Sequence, residues 1–157
     1  MRYNTIKHND IANAPGVCVS IYLQGCPHHC PGCFNPETWS FSGGKLWSEE
    51  AMDEVLTALT ANGIRRDLCI LGGEPLCPEN LHLTEMIAAT VKSYYPEVKI
   101  YIWTGYIYEN LRDPAYERLW ESIDVLIDGP FIEAERDLTL HMRGSRNQRI
   151  IDIKKNI

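Results

Sequence analysis

The sequence predicts an α/β protein with an open or partial (β/α) barrel and a mostly parallel sheet. Three observations predict this class. Short runs rich in β-branched and aromatic residues alternate with longer runs of helical periodicity, as in right-handed βαβ units. The chain has 157 residues, whereas a complete (β/α)₈ barrel takes about 200 or more. A composition of 45% hydrophobic and 23% charged residues suits one domain over residues 1–157.

A strand and a helix are predicted in the first part of the chain. Residues 17–23 are rich in β-branched and aromatic residues and are followed by Gly25, which is typical of a strand and its end. A loop rich in cysteine comes next. Residues 48–61 are predicted as a helix, because Ser48 is a good N-cap and the two acidic residues after it suit a first turn. Its apolar stripe consists of Met52, Val55, Leu56 and Leu59.

Strands and helices continue to alternate over the rest of the chain. The further predicted strands cover residues 67–71, 98–103, 123–127 and 149–153. A helix over residues 78–95 begins at Pro78, which suits the first turn of a helix. One or two short helices fall within residues 106–120 and are interrupted near Pro114. Residues 133–147 are polar and irregular.

Charge and cysteine content exclude several classes of function. The chain has 15 basic and 21 acidic residues, a net charge of -6, and no long basic run, so a nucleic-acid-binding surface is not expected. No stretch resembles a signal peptide or a membrane span. We therefore expect a cytoplasmic protein with no membrane association. In a reducing compartment its six cysteines indicate metal binding or redox chemistry rather than disulfides.

The strongest motif places Cys26, Cys30 and Cys33 at CxxxCxxC spacing in the loop after the first predicted strand. A [4Fe-4S] cluster has four irons that each need an outer ligand, and thiolate is the usual one. Three local cysteines would leave one iron open to bind a substrate. The motif therefore indicates a catalytic iron–sulfur cluster.

Two other interpretations of these cysteines remain. A structural zinc site could add His28 or His29, although the second ligand pair usual in zinc modules is missing. Cys30 and Cys33 also form a CxxC pair that could exchange disulfides, but this leaves Cys26 unexplained. The remaining cysteines differ: Cys18 and Cys69 lie in predicted strands and are interpreted as small core residues, and Cys77 lies outside the motif.

A second motif, Gly72-Gly73-Glu74-Pro75, follows the second predicted strand. Alone it is an ordinary turn sequence. Ligands of parallel α/β sheets bind at the carboxyl ends of the strands, and the cysteine loop lies at the same edge. Glycines at this position would let the backbone approach a ligand closely.

Together these motifs resemble the radical S-adenosylmethionine superfamily. More narrowly, the chain resembles the activating proteins of anaerobic ribonucleoside-triphosphate reductase. The narrower resemblance rests on residues 10–11, 13–16, 25–35, 38–39, 103–106, 124–129, 143–145 and 147–148. Two positions depart from the wider patterns: Gly32 stands where most of the superfamily has an aromatic residue, and Ala14 stands where the family tends to have glycine.

The resemblance implies a mechanism and a set of site residues. Cys26, Cys30 and Cys33 would bind the [4Fe-4S] cluster, and reductive cleavage of S-adenosylmethionine would yield a 5′-deoxyadenosyl radical. That radical would take hydrogen from a glycine of the reductase large chain and leave a glycyl radical. The electron would come from a low-potential donor such as flavodoxin. The implied cofactor-binding residues are Gly32, Cys33, Phe34, Gly72, Gly73 and Glu74.

Alternatives remain open at the level of function. A small radical enzyme acting on a metabolite, of the deazaguanine-forming type, shares the same cluster motif, and a zinc or redox module would lack cofactor cleavage altogether. The open side of a partial barrel could admit a protein segment or form a homodimer interface. Residues 143–148 could dock a partner or form a solvated loop, and Asp128 could face the cofactor or cap a turn.

Overall fold

The computed structural model describes residues 1–155, which form seven strands and three α-helices. The strands are β1 (Arg2–Asp10), β2 (Cys18–Leu23), β3 (Lys45–Leu46), β4 (Asp67–Gly72), β5 (Ile100–Trp103), β6 (Val125–Asp128) and β7 (Arg149–Asp152). The helices are α1 (Glu49–Leu59), α2 (Pro78–Tyr94) and α3 (Glu117–Ser122). Within this part of the chain no helix is long and apolar enough to span a bilayer.

The strands form one sheet in the order β3-β1-β2-β4-β5-β6-β7. The four central strands β2, β4, β5 and β6 are parallel to their neighbours, and α1, α2 and α3 lie in the connections between them. Antiparallel strands flank them, with β1 beside β2, β3 beside β1 and β7 beside β6. The predicted α/β class and mostly parallel sheet are confirmed, and across residues 1–155 the sheet stays open.

The sequence did not predict the two strands at the β1 edge. β1 is polar and largely accessible, so it has no clear alternation of apolar and polar residues. It is held by backbone pairing with β2, interrupted by register shifts. Two other predicted strands begin later than expected, because the turn at Val98 and the end of α3 at Ile123 take residues that were assigned to β5 and β6.

The two faces of the sheet are covered differently. Alternate strand residues such as Ile21, Ile70 and Ile102 point to the face on which α1, α2 and α3 pack, and they form the larger core. The intervening residues include Cys18, Tyr22, Cys69, Tyr101 and Ile127, which form a smaller core with residues of two loops, Ala14 and Met142. The second face is therefore walled by loops rather than helices.

Candidate functional site

A cavity of about 410 Å³ lies on the loop-covered face, at the carboxyl ends of the parallel strands. Its wall includes the loop after β2, the turns after β4 and β5, and the long connection between β6 and β7. All three cysteines of the CxxxCxxC motif line it. The structure thus brings both sequence motifs to one edge of the sheet, where parallel α/β proteins bind their ligands.

The three motif cysteines are free thiols with different exposure. Cys26 is buried, whereas Cys30 and Cys33 are partly accessible. The Cys33 backbone N–H donates to Cys30 O at 3.1 Å, and Asn35 N–H donates to the Cys33 sulfur at 3.4 Å. Within residues 1–155, no three His, Cys, Asp or Glu side chains are grouped closely enough to hold one metal ion. The thiols share a cavity wall without forming a closed single-ion site.

This donor set fits an iron–sulfur cluster. Thiolates are the usual outer ligands of such clusters, and three of them face one cavity. Burial raises the pKa of the Cys26 thiol. A metal that bound Cys26 would have to displace the thiol proton.

Trp39 lies beside the cysteine loop. It lines the cavity, its carbonyl accepts the Cys26 N–H at 3.0 Å, and its ring stacks on His29 with centroids 4.8 Å apart. Its indole Nε1–H is buried and has no hydrogen-bond acceptor among the described residues. Leaving a buried donor unsatisfied costs about 1–3 kcal/mol. The donor is enclosed by protein beside the cysteine loop, and the cavity is lined by other atoms of Trp39.

The glycine turn after β4 packs directly on the cysteine loop. Gly73 N–H donates to Leu23 O at 2.9 Å, and Glu74 N–H donates to Gly25 O at 2.8 Å. A Cβ on Gly73 would lie 2.3 Å from Gly25 O, and Gly72 has a φ of +102°. We expected these glycines to admit a ligand to the backbone. They also line the cavity, but the tight approach is between two segments of the protein.

Glu74 is the most extensively bonded side chain of the site. It is only 1% exposed. One carboxylate oxygen accepts from Thr104 Oγ1 at 2.7 Å and the Leu76 N–H at 2.9 Å, and the other accepts from the Gly105 N–H at 2.7 Å. His28 Nε2 lies 2.8 Å from that second oxygen. One buried carboxylate therefore joins the cysteine loop, the glycine turn and the turn after β5.

His28 has a role that sequence reasoning missed, since it was considered only as a zinc ligand. Its ring packs edge-on against Tyr106, with centroids 4.6 Å apart. A Cβ on Gly105 would lie 2.6 Å from the same ring, so glycine is needed there. The histidine between the first two cysteines thus fastens their loop to the sheet edge. The sequence signal was a histidine inside the motif, but its partner Glu74 is 46 positions away.

Gly32 and Phe34 contact the connection between β6 and β7. Phe34 lines the cavity, is 48% exposed, and packs on Phe131 with centroids 5.1 Å apart. The Arg136 guanidinium lies 5.0 Å from the centre of the Phe34 ring. Gly32, with φ +71°, lies beside the Glu133 carboxylate and outside the cavity lining. Of the six expected cofactor-binding residues, the other five line the cavity.

Comparison with known proteins agrees with this geometry. A family model described as a 4Fe-4S single cluster domain matches residues 12–151. The anaerobic ribonucleoside-triphosphate reductase-activating protein of Vibrio cholerae is 38% identical over 149 residues, covering 94% of this chain and 96% of the relative. This chain belongs to that activating-protein family. Proteins of the same name from Escherichia coli K12 and Enterobacteria phage T4 are 33% and 34% identical, over 94% and 96% of this chain and 96% and 93% of their own lengths.

In this member of the activating-protein family, the segment over residues 143–148 forms part of the site wall. Arg143, Gly144 and Gln148 line the cavity. The Gln148 side-chain oxygen accepts the Gly144 N–H at 2.8 Å and the Ser145 N–H at 3.2 Å. The segment is therefore internally ordered rather than a freely solvated loop.

Asp128 is fully buried at the end of β6 and does not line the cavity. Its carboxylate accepts from Arg149 Nε at 2.9 Å and from the Tyr108 N–H at 2.8 Å. The cofactor-facing interpretation of Asp128 is therefore not supported. In this activating protein Asp128 instead holds β7 and the turn before Tyr108 against β6.

Proposed function

We propose that this protein activates anaerobic ribonucleoside-triphosphate reductase by generating a glycyl radical on the reductase large chain. Cys26, Cys30 and Cys33 would hold a [4Fe-4S] cluster, and S-adenosylmethionine would be the second cofactor. The observation that carries the proposal is the shared cavity of the three cysteines and the glycine turn, at the carboxyl ends of the parallel strands. The matched single-cluster family and the named relatives support it.

Bound together, the two cofactors would supply reductive cleavage of S-adenosylmethionine and the 5′-deoxyadenosyl radical that abstracts hydrogen from glycine. The protein must position them and keep water away. Glu74 does the first by holding the cysteine loop and two strand-end turns in one hydrogen-bonded unit. The second falls to the apolar wall once a bound cofactor or the reductase covers Phe34, which is 48% exposed and packs on Phe131.

We assign the cofactor contacts as follows. Gly72 and Gly73 present backbone to S-adenosylmethionine from the turn, while Cys33 and Phe34 face it from the cysteine loop. Glu74 contributes through the turn, because both of its carboxylate oxygens already accept hydrogen bonds from the protein. Gly32 contributes the positive φ that its loop requires beside Glu133 rather than a direct contact.

The same proposal assigns partners and a compartment. The reductase large chain is the macromolecular substrate, and a low-potential donor such as flavodoxin supplies the electron. All six cysteines are free thiols, which fits the reducing cytoplasm. Because the 5′-deoxyadenosyl radical is so reactive, the target glycine of the reductase must be in place before the cofactor is cleaved.

The proposal is tested by anaerobic reconstitution with iron and sulfide, followed by two assays. Chromatography measures 5′-deoxyadenosine after addition of a reductant and S-adenosylmethionine. Electron paramagnetic resonance then measures the glycyl signal on the cognate reductase. Cys30→Ala serves as the negative control for both assays. Cofactor cleavage with no glycyl signal would instead favour a radical enzyme acting on a metabolite, and no cleavage at all would favour a zinc or redox module.

A further inference from the structure

Leu138 lies where the cavity opens to solvent. It lines the cavity and is also 72% exposed, so it borders both the cavity and the solvent. Phe34 has the same two properties, with an exposure of 48%. Single exposed apolar side chains are common on protein surfaces, whereas apolar side chains grouped at one place mark interaction sites. Two large apolar residues at the opening of one cavity therefore indicate a surface that a partner covers.

Leu138 is presented by a hairpin loop over residues 136–145, whose two arms run antiparallel. The Asp137 N–H donates across the arms to Gly144 O at 3.1 Å. At the turn, one Asp137 carboxylate oxygen accepts from the Thr139 N–H at 3.0 Å and from the Thr139 hydroxyl at 2.6 Å. Hydrogen bonds on both sides therefore fix the backbone of Leu138. Its exposure is a property of an ordered turn and not of a loose loop.

The chain around this hairpin loop is basic. Residues 136–149 contain four arginines and one aspartate, in a chain with a net charge of -6. The Arg136 guanidinium lies 5.0 Å from the centre of the Phe34 ring, at the cavity opening. Across residues 1–155, no carboxylate forms an ion pair with Arg136 or with Arg143, which lines the cavity. The opening is therefore complementary to a protein segment that carries an apolar side chain and a carboxylate.

We propose that the hairpin loop is a docking surface for the reductase large chain. Leu138 packs on an apolar side chain of the segment that carries the target glycine, and Arg136 pairs with an acidic side chain of the same segment. This inference rests on the proposed function, in which that glycine must reach the cavity. The contact would also cover Phe34 and so help to exclude water from the cofactors.

A second copy of this chain is the competing occupant of the hairpin loop. In a twofold-symmetric dimer, one surface patch meets the same patch of the other copy. A dimer through this loop would therefore bring the arginines of the two copies together, with no carboxylate among residues 1–155 that already pairs with Arg136 or Arg143. Like charges placed together disfavour an interface, so the charge of the loop favours a different partner.

The experiment measures binding of the full-length reconstituted protein to the cognate reductase large chain by anaerobic calorimetry, at two salt concentrations and with S-adenosylmethionine present. Leu138→Ser removes the apolar contact, and Arg136→Gln removes the charge. Leu46→Ser is the matched control for the first, because Leu46 is 67% exposed and does not line the cavity. Arg118→Gln is the control for the second, since Arg118 is exposed on α3. Sedimentation equilibrium measures the oligomeric state of each protein alone.

Leu138→Ser should raise the dissociation constant for the reductase about tenfold, the loss expected for one aliphatic contact. Arg136→Gln should raise it less, and its effect should disappear at high salt, because ions screen exposed charges. Both variants should keep the iron content and the S-adenosylmethionine affinity of the parent. Both controls should bind the reductase as the parent does.

Binding as tight as that of the parent in either Leu138→Ser or Arg136→Gln would overturn the inference. So would an equal loss of S-adenosylmethionine affinity in Leu138→Ser, which would assign Leu138 to the cofactor, or a dimer of the parent that Leu138→Ser dissociates. A parent protein that produces no glycyl signal on the reductase would overturn the proposed function itself, so the two failures are distinguishable.

Discussion

The six cysteines of this chain form two groups in different surroundings. Cys26, Cys30 and Cys33 line the cavity on a loop that follows a strand. The other three, Cys18, Cys69 and Cys77, are fully buried. Each of these buried thiols donates to a backbone carbonyl, those of Asp10, Asn13 and Glu74, at 3.2 to 3.3 Å. The first group presents sulfur to a cavity, and the second uses sulfur as a small buried donor.

The comparison shows that the two groups differ in whether the cavity gives access to the sulfur atom, more than in the pKa of the thiol. Burial raises the pKa of Cys77 to about 12, and it also raises that of Cys26 in the cavity wall. For Cys69, a shared hydrogen bond with Cys18 raises the pKa further, together with burial. A high pKa therefore does not exclude ligation, since iron can displace the proton wherever it can reach the sulfur. The interpretation of Cys18 and Cys69 as small core residues is confirmed.

The largest expected effect comes from replacing the cysteines of each group by alanine. Replacing Cys26, Cys30 or Cys33 by Ala should abolish stable cluster binding, because over residues 1–155 the cavity wall has no further thiol. Cys18→Ala or Cys69→Ala should keep the cluster and lower the free energy of unfolding by about 1 kcal/mol. Iron and sulfide analysis of each purified variant makes the comparison. A full cluster in Cys30→Ala, or none in a folded Cys18→Ala, would break the division into two groups.

The next largest effect is expected at the glycine turn, which packs on the loop of Cys26, Cys30 and Cys33. Gly73→Val should cause loss of the cluster as well as of S-adenosylmethionine binding, because a Cβ there would lie 2.3 Å from Gly25 O, just before Cys26. From the motif alone, Gly73 was assigned only to close approach of a ligand, and this predicts weaker cofactor binding with the cluster retained. Gly16→Val is the matched control, since a Cβ at Gly16 meets nothing within 4 Å. Iron content and cofactor affinity are measured on both, and a Gly73→Val protein with its cluster intact would restore the original expectation.

A smaller effect is expected at the carboxylate that joins the cysteine loop to the sheet. Glu74→Gln should lower the free energy of unfolding by about 1–3 kcal/mol, because the new amide N–H₂ must face donors that now bond to a carboxylate. Urea denaturation of the cluster-free protein measures it. Exposed Glu97→Gln is the control. If the two variants were equally stable, the hydrogen bonds of Glu74 would not be what stabilises the loop of Cys26, Cys30 and Cys33 against the sheet edge.

The smallest effect lies outside both cysteine groups, at the ion pair of Glu109 and Arg149. The hydrogen bond from Arg149 lowers the pKa of Glu109 from its ordinary 4.5 to about 2. The pair therefore stabilises the fold above about pH 4.5, and this contribution is lost as the pH falls towards 2. Because Glu109 is exposed, solvent and salt screen the interaction.

Glu109→Gln should accordingly reduce the melting temperature slightly near neutral pH, with a difference from the parent that vanishes in acid and shrinks in high salt. Thermal denaturation between pH 2 and 7 at two salt concentrations measures this. Iron content should not change. A difference that grew on acidification would show that Glu109 does not titrate as the ion pair requires.

Local sequence predicted a large part of this fold. The parallel strands β2, β4, β5 and β6 are short and mostly apolar, so each was recognisable, and α1 begins at the N-cap that Ser48 suggested. β1 was missed because its polar sequence carries no periodic signal and the strand exists only by pairing with β2. Boundaries shifted where turns competed for the same residues, as at Val98.

The candidate site was likewise predicted only in part from the sequence. The three cysteines and the glycine turn were found from spacing, because ligand and turn motifs are encoded within a few consecutive residues. The bond between His28 and Glu74, the donor of Trp39 and the burial of Asp128 were not found. Each depends on which neighbours the folded chain brings close, and no local pattern records that.

By itself, the sequence determined which residues have the chemistry: three thiols at a fixed spacing, a flexible glycine turn and alternating strands and helices. Only the tertiary structure decided which of them meet. The parallel pairing of β2 with β4 sets Leu23 opposite Gly72, and this register places the cysteine loop against the turn. Glu74 and His28 come together for that reason. Spacing along the chain is a local property, whereas register and the choice of the helix-free face are settled by the packing of the whole sheet.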